Sequence, residues 1–183
     1  MNLSNKLTTL RVILIPFFVI FLILDIGRFD RVGDFIALAI FVIASITDFL
    51  DCYLSRKNNM VTNFGKFMDP LADKLLVGSA AICLIEMGRL SAWVVVILIA
   101  REFIISGFRL VAANNGRVIA AGIWGKIKTV VQLIMTIALI AHFDFLLWHI
   151  LEQILIWASL ILTIISLVDY IYHNKDVLKD TDN

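Results

Sequence analysis

Six long apolar runs, separated by short polar connections, constrain this chain more than any other feature of its sequence. Each run approaches the ~20 residues that a helix needs to cross the hydrocarbon core of a bilayer. Hydrophobic residues make up 61% of the 183, well above the norm for soluble globular domains. We therefore predict an all-α integral membrane protein with six transmembrane helices in a single domain, residues 1–183. The predicted segments are roughly Leu7–Ile26, Phe35–Leu54, Phe67–Ile85, Leu90–Val111, Ile123–Ala141 and Gln153–Tyr172.

The charged residues predict how these segments are oriented. Met1–Leu10 is predicted to be a short amphipathic segment at the membrane surface. Thirteen of the sixteen Lys and Arg residues then fall on the side that holds both termini, and the positive-inside rule assigns that side to the cytoplasm. Only Arg28, Arg31 and Arg89 fall on the other side. The net charge of +1 offers no basic surplus for a phosphate backbone, so no nucleic-acid partner is expected.

Four aspartates interrupt the apolar sequence around the connection between the second and third segments. They are Asp48, Asp51, Asp69 and Asp73. The first two are three residues apart and the last two are four apart, so a helix would present each pair on one face. Pro70 suits the first position of a helix, which predicts a helix start at Asp69 after a turn over residues 58–66. The pattern predicts helix, short loop, helix, with a pair of carboxylates on each side of the loop.

Carboxylates that gather in a low dielectric remain ionised only if cations neutralise them. Hard oxygen ligands of this kind suit Mg²⁺ or Mn²⁺, so the four aspartates predict a divalent metal site. The alternative is a set of interfacial salt bridges to neighbouring bases, although acids within membrane segments are costly and usually functional. Those bases are Arg56, Lys57, Lys66 and Lys74.

The same stretch resembles the signature of the CDP-alcohol phosphotransferases, which reads DxxDGxxAR, then eight residues, then GxxxDxxxD. Here the four aspartates, Arg56 and Gly65 keep every spacing. Two positions depart from the signature, because Cys52 stands where the family has Gly and Ser55 where it has Ala. The N-terminal sequence also resembles the family pattern N-x-L-T-x-x-R, which ends here at Arg11.

The resemblance implies an enzyme that transfers a phosphatidyl group from CDP-diacylglycerol to an alcohol, and that works as a homodimer. It implies that the four aspartates bind two divalent ions, Mg²⁺ or Mn²⁺, and that Asp73 also acts as the general base. Arg11 is either a topology anchor or a substrate contact. The residues that the resemblance assigns to the nucleotide-containing donor are Thr8, Cys52, Arg56 and Gly65.

A second group of charges lies on the fourth and fifth segments. It consists of Arg101, Arg109, Lys126 and Lys128. Arginine binds phosphate through two parallel hydrogen bonds and lysine adds a mobile charge, so this group predicts a phosphate pocket next to the metal site. For the two lysines, positive-inside anchoring is an equal alternative. These stretches resemble the family branch that makes phosphatidylglycerophosphate, which implies sn-glycerol 3-phosphate as the acceptor.

Three other functions remain open from the sequence. Sister branches of the family use inositol phosphate, serine or phosphatidylglycerol as the acceptor. A membrane prenyltransferase also has paired acidic motifs, but these normally lie further apart in a longer chain. A cation transporter with intramembrane carboxylates would need a polar path through the outer half of the membrane, whereas the charges here are predicted to cluster in the cytoplasmic half.

Overall fold

The computed structural model describes the backbone of residues 3–24, 32–58, 63–114, 119 and 122–175. Side chains are described for residues 9–23, 32–47, 71–113, 119 and 122–175. Within these ranges the regular structure is entirely helical, as predicted. The six helices are α1 (Leu3–Leu24), α2 (Val32–Asn58), α3 (Asn63–Glu86), α4 (Ala92–Asn114), α5 (Ile123–Ala141) and α6 (Leu146–His173).

The helices form two compact units. The first comprises residues 1–90 and 136–142, and in it α1 packs against α2 and α3. Its core includes the rings of Phe18 and Phe41, 5.6 Å apart, together with fully buried alanines such as Ala72. The second comprises residues 91–135 and 143–183, and in it α4 packs against α6. The face of α6 towards its unit carries small hydroxyl side chains, including Ser159 and Thr163, which suit close helix packing in a membrane.

The predicted and observed helix boundaries agree best for α5, which runs from Ile123 to Ala141 in both. They differ most for α6, which begins at Leu146 rather than Gln153. The predicted segment begins just after Glu152, but this residue is only 4% exposed and its Oε2 lies 3.3 Å from Nδ1 of His149. Because the two residues are three apart, they pair along the helix surface and the helix continues through them.

The predicted helix start at Asp69 is wrong. α3 begins at Asn63, so Pro70 lies inside the helix and only residues 59–62 separate α3 from α2. The φ angle that proline imposes is helical, and its cost is one missing amide donor and crowding of the preceding turn. Asparagine, by contrast, is a residue type favoured at helix starts. The connection between the two carboxylate pairs is therefore shorter than predicted.

A tight turn joins α3 to the next segment. Gly88 has a φ of +68°, a left-handed conformation that glycine adopts without steric cost. The amides of Met87 and Arg89 donate to the carbonyls of Cys83 and Leu84, both at 3.0 Å, which satisfies the last turn of α3.

The side chain of Arg89 connects three parts of the first unit. Its Nη2 donates to Oδ2 of Asp34, near the start of α2, at 2.6 Å. Its Nη1 donates to the carbonyls of Leu139 and Ile140, in the last turn of α5, at 3.2 and 3.0 Å. The two charged side chains are only 14% and 6% exposed. A buried ion pair that is also hydrogen-bonded to a helix end fixes these elements together.

Two helices among the described residues, α5 and α6, are long and apolar enough to cross a membrane. The outer face of α6 supports this, because large apolar side chains recur along it at helical spacing and are exposed. They include Ile154, Trp157, Ile161, Ile164 and Val168, which are between 48% and 61% exposed. These exposed apolar side chains are typical of a helix that faces lipid.

Candidate functional site

The four aspartates of the predicted metal site lie on two helices of the first unit. Asp48 and Asp51 are in α2, Asp69 and Asp73 are in α3, and these helices contact one another. Both stretches are continuous helix, so the spacings of three and four residues still predict one helix face for each pair. The side chain of Asp73 is partly exposed and lies beside the fully buried Ala72.

The side chains of several predicted site residues lie outside the described ones. They are Asp48, Asp51, Asp69, Thr8, Cys52 and Arg56. Their backbone positions are helical, as is that of Gly65 near the start of α3. Arg11, which ends the N-terminal pattern, is 1% exposed within the first unit. Its guanidinium therefore lies inside the protein rather than in the solvent expected for a simple topology anchor.

The second unit contains a small, partly open cavity. Residues from α4 and α6, together with two glycines at the start of α5, form its wall. They are Arg101, Ile105, Arg109, Gly122, Gly125, Ser166, Asp169 and Tyr170. The three α4 residues are spaced four apart, so one face of this helix supplies both guanidinium groups.

Arg101 is held rigidly at this cavity. It is 7% exposed, its Nε donates to Oγ of Ser166 at 3.2 Å, and its Nη1 donates to Oε1 of Glu102 at 2.9 Å. A Cβ added at Gly125 would lie 3.2 Å from its Nη2. The absence of a side chain at position 125 therefore leaves room for the guanidinium at the start of α5.

Glu102 also binds a second cation. Its Oε1 lies 2.5 Å from Nζ of Lys128, which is 1% exposed. One carboxylate oxygen thus bridges Arg101 and Lys128. Glu102 therefore neutralises part of the positive charge that we predicted would bind phosphate. Lys128 is not part of the cavity wall. Lys126 is exposed and is likewise not on the wall.

Arg109 lies at the exposed edge of the cavity. Its guanidinium carbon is 5.8 Å from the centre of the Tyr170 ring, within the range of a cation–π contact. Tyr170 is 5% exposed and packs edge-on against Phe108, with ring centres 6.3 Å apart. Arg101 and Arg109 therefore differ: hydrogen bonds to protein hold the first, whereas the second keeps its hydrogen-bond donors accessible to solvent and ligand.

Asp169 contributes a carboxylate to the same wall. Its Oδ1 lies 3.2 Å from Nδ1 of His173, one turn further along α6. Its Oδ2 points towards α5, where a Cβ added at Gly122 would lie 3.4 Å away. Asp169 stands alone among apolar residues, so no spacing pattern in the sequence points to it.

Comparison with known proteins decides the family. The sequence profile described as CDP-alcohol phosphatidyltransferase matches residues 1–165. The chain belongs to this family. A Bacillus subtilis protein named CDP-diacylglycerol–glycerol-3-phosphate 3-phosphatidyltransferase is 42% identical over a 192-residue alignment that covers 99% of both chains. Proteins with the same name from Haemophilus influenzae and Rickettsia typhi are 40% and 35% identical and align with 98% and 92% of this chain, and with 96% and 94% of their own.

The part of the chain that matches the CDP-alcohol phosphatidyltransferase profile includes both carboxylate pairs and the α4 and α5 residues of the cavity. It ends at residue 165, before the three α6 residues of the cavity wall. Those residues are Ser166, Asp169 and Tyr170.

Proposed function

We propose that this protein transfers the phosphatidyl group of CDP-diacylglycerol to sn-glycerol 3-phosphate, producing phosphatidylglycerophosphate and CMP. The structural observation that carries the choice of acceptor is the cavity of the second unit, whose wall holds the guanidinium groups of Arg101 and Arg109. A guanidinium group can bind two phosphate oxygens through parallel hydrogen bonds. The guanidinium of Arg109, at the exposed edge, remains accessible to an incoming phosphomonoester. The names of the relatives agree with this choice.

The donor chemistry is assigned to the first unit. CDP-alcohol phosphatidyltransferases are in general dependent on divalent metal. The four aspartates offer only hard oxygen donors, paired on faces of two contacting helices, and this donor set fits two Mg²⁺ or Mn²⁺ ions. Bound there, divalent ions would neutralise the pyrophosphate of the donor and stabilise the leaving CMP. Asp48, Asp51, Asp69 and Asp73 are the proposed ligands.

Protein side chains perform the remaining steps in this proposal. Asp73, whose carboxylate is partly exposed, accepts the proton of the acceptor hydroxyl as that oxygen attacks the phosphorus linked to diacylglycerol. Arg101 and Arg109 hold the acceptor phosphate, while Lys126 and Lys128, which are not on the cavity wall, contribute positive charge at longer range. The donor nucleotide is assigned to Thr8, Cys52, Arg56 and Gly65, on the resemblance of their motifs.

All six helices are proposed to span the cell membrane, with both termini and the active site on the cytoplasmic side. The shortest of the first four, α1, has 22 residues and is about 33 Å long, which exceeds the ~30 Å hydrocarbon core. The excess of Lys and Arg assigned to one side supports the orientation. A membrane enzyme can keep the diacylglycerol tails in lipid while the head group reacts. A homodimer is part of the proposal through the family resemblance.

An acceptor screen with a single lipid donor tests the proposed function. Purified protein receives CDP-diacylglycerol, Mg²⁺ and one acceptor at a time: glycerol 3-phosphate, inositol phosphate, serine or phosphatidylglycerol. CMP release and the mass of the lipid product are measured, with a chelator in place of Mg²⁺ as the control. We expect phosphatidylglycerophosphate from glycerol 3-phosphate and no turnover with chelator. A product from another acceptor would assign the protein to a sister branch, and no CMP from any acceptor would contradict transferase function.

A further inference from the structure

The cavity wall carries a negative charge that a site for phosphate alone would not need. The carboxylate of Asp169 lies on the same wall as the guanidinium groups of Arg101 and Arg109. An ionised carboxylate repels phosphate and can only accept hydrogen bonds. A ligand compatible with both kinds of group has a phosphate at one end and hydroxyl donors beside it. That description fits a polyol phosphomonoester.

The two oxygens of Asp169 have different surroundings. Oδ1 lies 3.2 Å from Nδ1 of His173, a nitrogen that is also 2.9 Å from the backbone carbonyl oxygen of Asp169, while Oδ2 has no hydrogen-bond partner in the described part of the chain. The side chain is 31% exposed, so a ligand in the cavity can reach it. Oδ2 lies close to the start of α5: a Cβ added at Gly122 would be 3.4 Å from this oxygen.

Consecutive turns of α6 position the phosphate-binding and hydroxyl-binding groups together. Ser166 accepts the hydrogen bond from Nε of Arg101, and Asp169 follows three residues later on the same face of the helix. These residues lie beyond the 1–165 match to the family profile.

We infer that Asp169 is a specificity-determining residue of the acceptor site, whose Oδ2 accepts a hydrogen bond from the secondary hydroxyl of an acceptor held through its phosphate by Arg101 and Arg109. The inference rests on the proposed function. An analogue without the secondary hydroxyl would leave the half-buried carboxylate without a hydrogen-bond donor. The site therefore disfavours that analogue. The discriminating probe is therefore an acceptor that keeps the phosphate and the reactive primary hydroxyl but lacks the secondary hydroxyl, namely 1,3-propanediol monophosphate.

The experiment compares kcat/KM for glycerol 3-phosphate and for 1,3-propanediol monophosphate at saturating donor. A hydrogen bond to a charged group predicts that the wild-type protein prefers glycerol 3-phosphate by roughly 10- to 100-fold. Asp169→Ala should reduce this preference to a few-fold, mainly through slower use of glycerol 3-phosphate. Asp169→Asn keeps the shape and serves if the alanine variant does not fold; its preference should lie below that of wild type. Asp144→Asn removes an exposed carboxylate of the same unit outside the cavity wall and should keep the wild-type preference.

The ratio between two acceptors separates recognition from general damage, because a merely structural role would lower both rates together. A folded, active Asp169 variant with the wild-type ratio would overturn the inference, as would a wild-type protein that uses both acceptors equally well. The failure of the proposed function has a different signature. In that case the wild-type protein would release no CMP with glycerol 3-phosphate, whatever residue occupies position 169.

Discussion

Replacing Glu102 by glutamine should destabilise the second unit, because this carboxylate neutralises two buried cations. Its Oε1 accepts from Nη1 of Arg101 at 2.9 Å and from Nζ of Lys128 at 2.5 Å. Arg101 and Lys128 are only 7% and 1% exposed, so water cannot solvate the two cations once the carboxylate charge is removed. Glutamine keeps the length and one acceptor oxygen of the side chain and removes only its charge.

The magnitude follows from the burial of this network. Removing one partner of a buried ion pair costs about 3–5 kcal/mol. The amide oxygen of glutamine recovers roughly 1 kcal/mol as a neutral hydrogen bond. Glu102 itself is 29% exposed, which lets solvent screen part of the change. We therefore expect Glu102→Gln to lower the free energy of unfolding by about 2–3 kcal/mol, which for a chain of this size lowers the melting temperature by roughly 4–12 °C.

Thermal unfolding in detergent micelles, followed by circular dichroism, measures this effect. Glu86→Gln is the matched control, since Glu86 is exposed at the end of α3 and should shift the melting temperature by less than about 2 °C. Adding Lys128→Met to Glu102→Gln removes one of the stranded cations and should cost less than the two single changes combined. If Glu102→Gln melted at the same temperature as the control, the bridging role of Glu102 would be refuted.

Three further predictions use the other sites. Arg109→Ala should raise the KM for glycerol 3-phosphate at least tenfold and leave the KM for CDP-diacylglycerol within about twofold, because it removes a charge-assisted contact to one substrate; equal effects on both would place Arg109 elsewhere. Arg89→Met should lower the free energy of unfolding by about 3–5 kcal/mol by stranding Asp34, and adding Asp34→Asn should restore part of the loss, which unfolding curves of the three variants will show. Cys52→Gly should lower the donor KM at a stability cost of up to ~1 kcal/mol, whereas an unchanged or raised donor KM would make position 52 a packing site.

The sequence was most informative where a single physical requirement controls a long segment. Bilayer thickness and helical rise require runs of about twenty apolar residues, which is why α5 was predicted to the residue. The same reasoning missed the first two turns of α6, which hold His149 and Glu152. Glu152 is compatible with the helix since His149 pairs with it one turn earlier, and hydropathy does not register pairing.

Contacts between distant parts of the chain were not predictable from the sequence. Arg89 and Asp34 are 55 residues apart, and Arg101 and Ser166 are 65 apart, so no local pattern relates them. The sequence did group Arg101 and Arg109 on the fourth segment as candidates for one phosphate pocket, and both line one cavity. The sequence could not show that Glu102 withdraws Lys128 from the cavity wall, since that depends on how α4 and α5 pack within the second unit.

The central claim is that the four aspartates on α2 and α3 perform divalent-metal-dependent phosphatidyl transfer. The most direct test is CMP release from CDP-diacylglycerol and glycerol 3-phosphate, measured side by side for the wild-type protein and Asp69→Asn across a Mg²⁺ titration. We predict metal-dependent turnover by the wild type and a loss of at least a hundredfold in Asp69→Asn, with the variant still folded and inserted in the membrane. Near-normal turnover by Asp69→Asn at saturating Mg²⁺ would contradict the claim and make the carboxylate cluster structural.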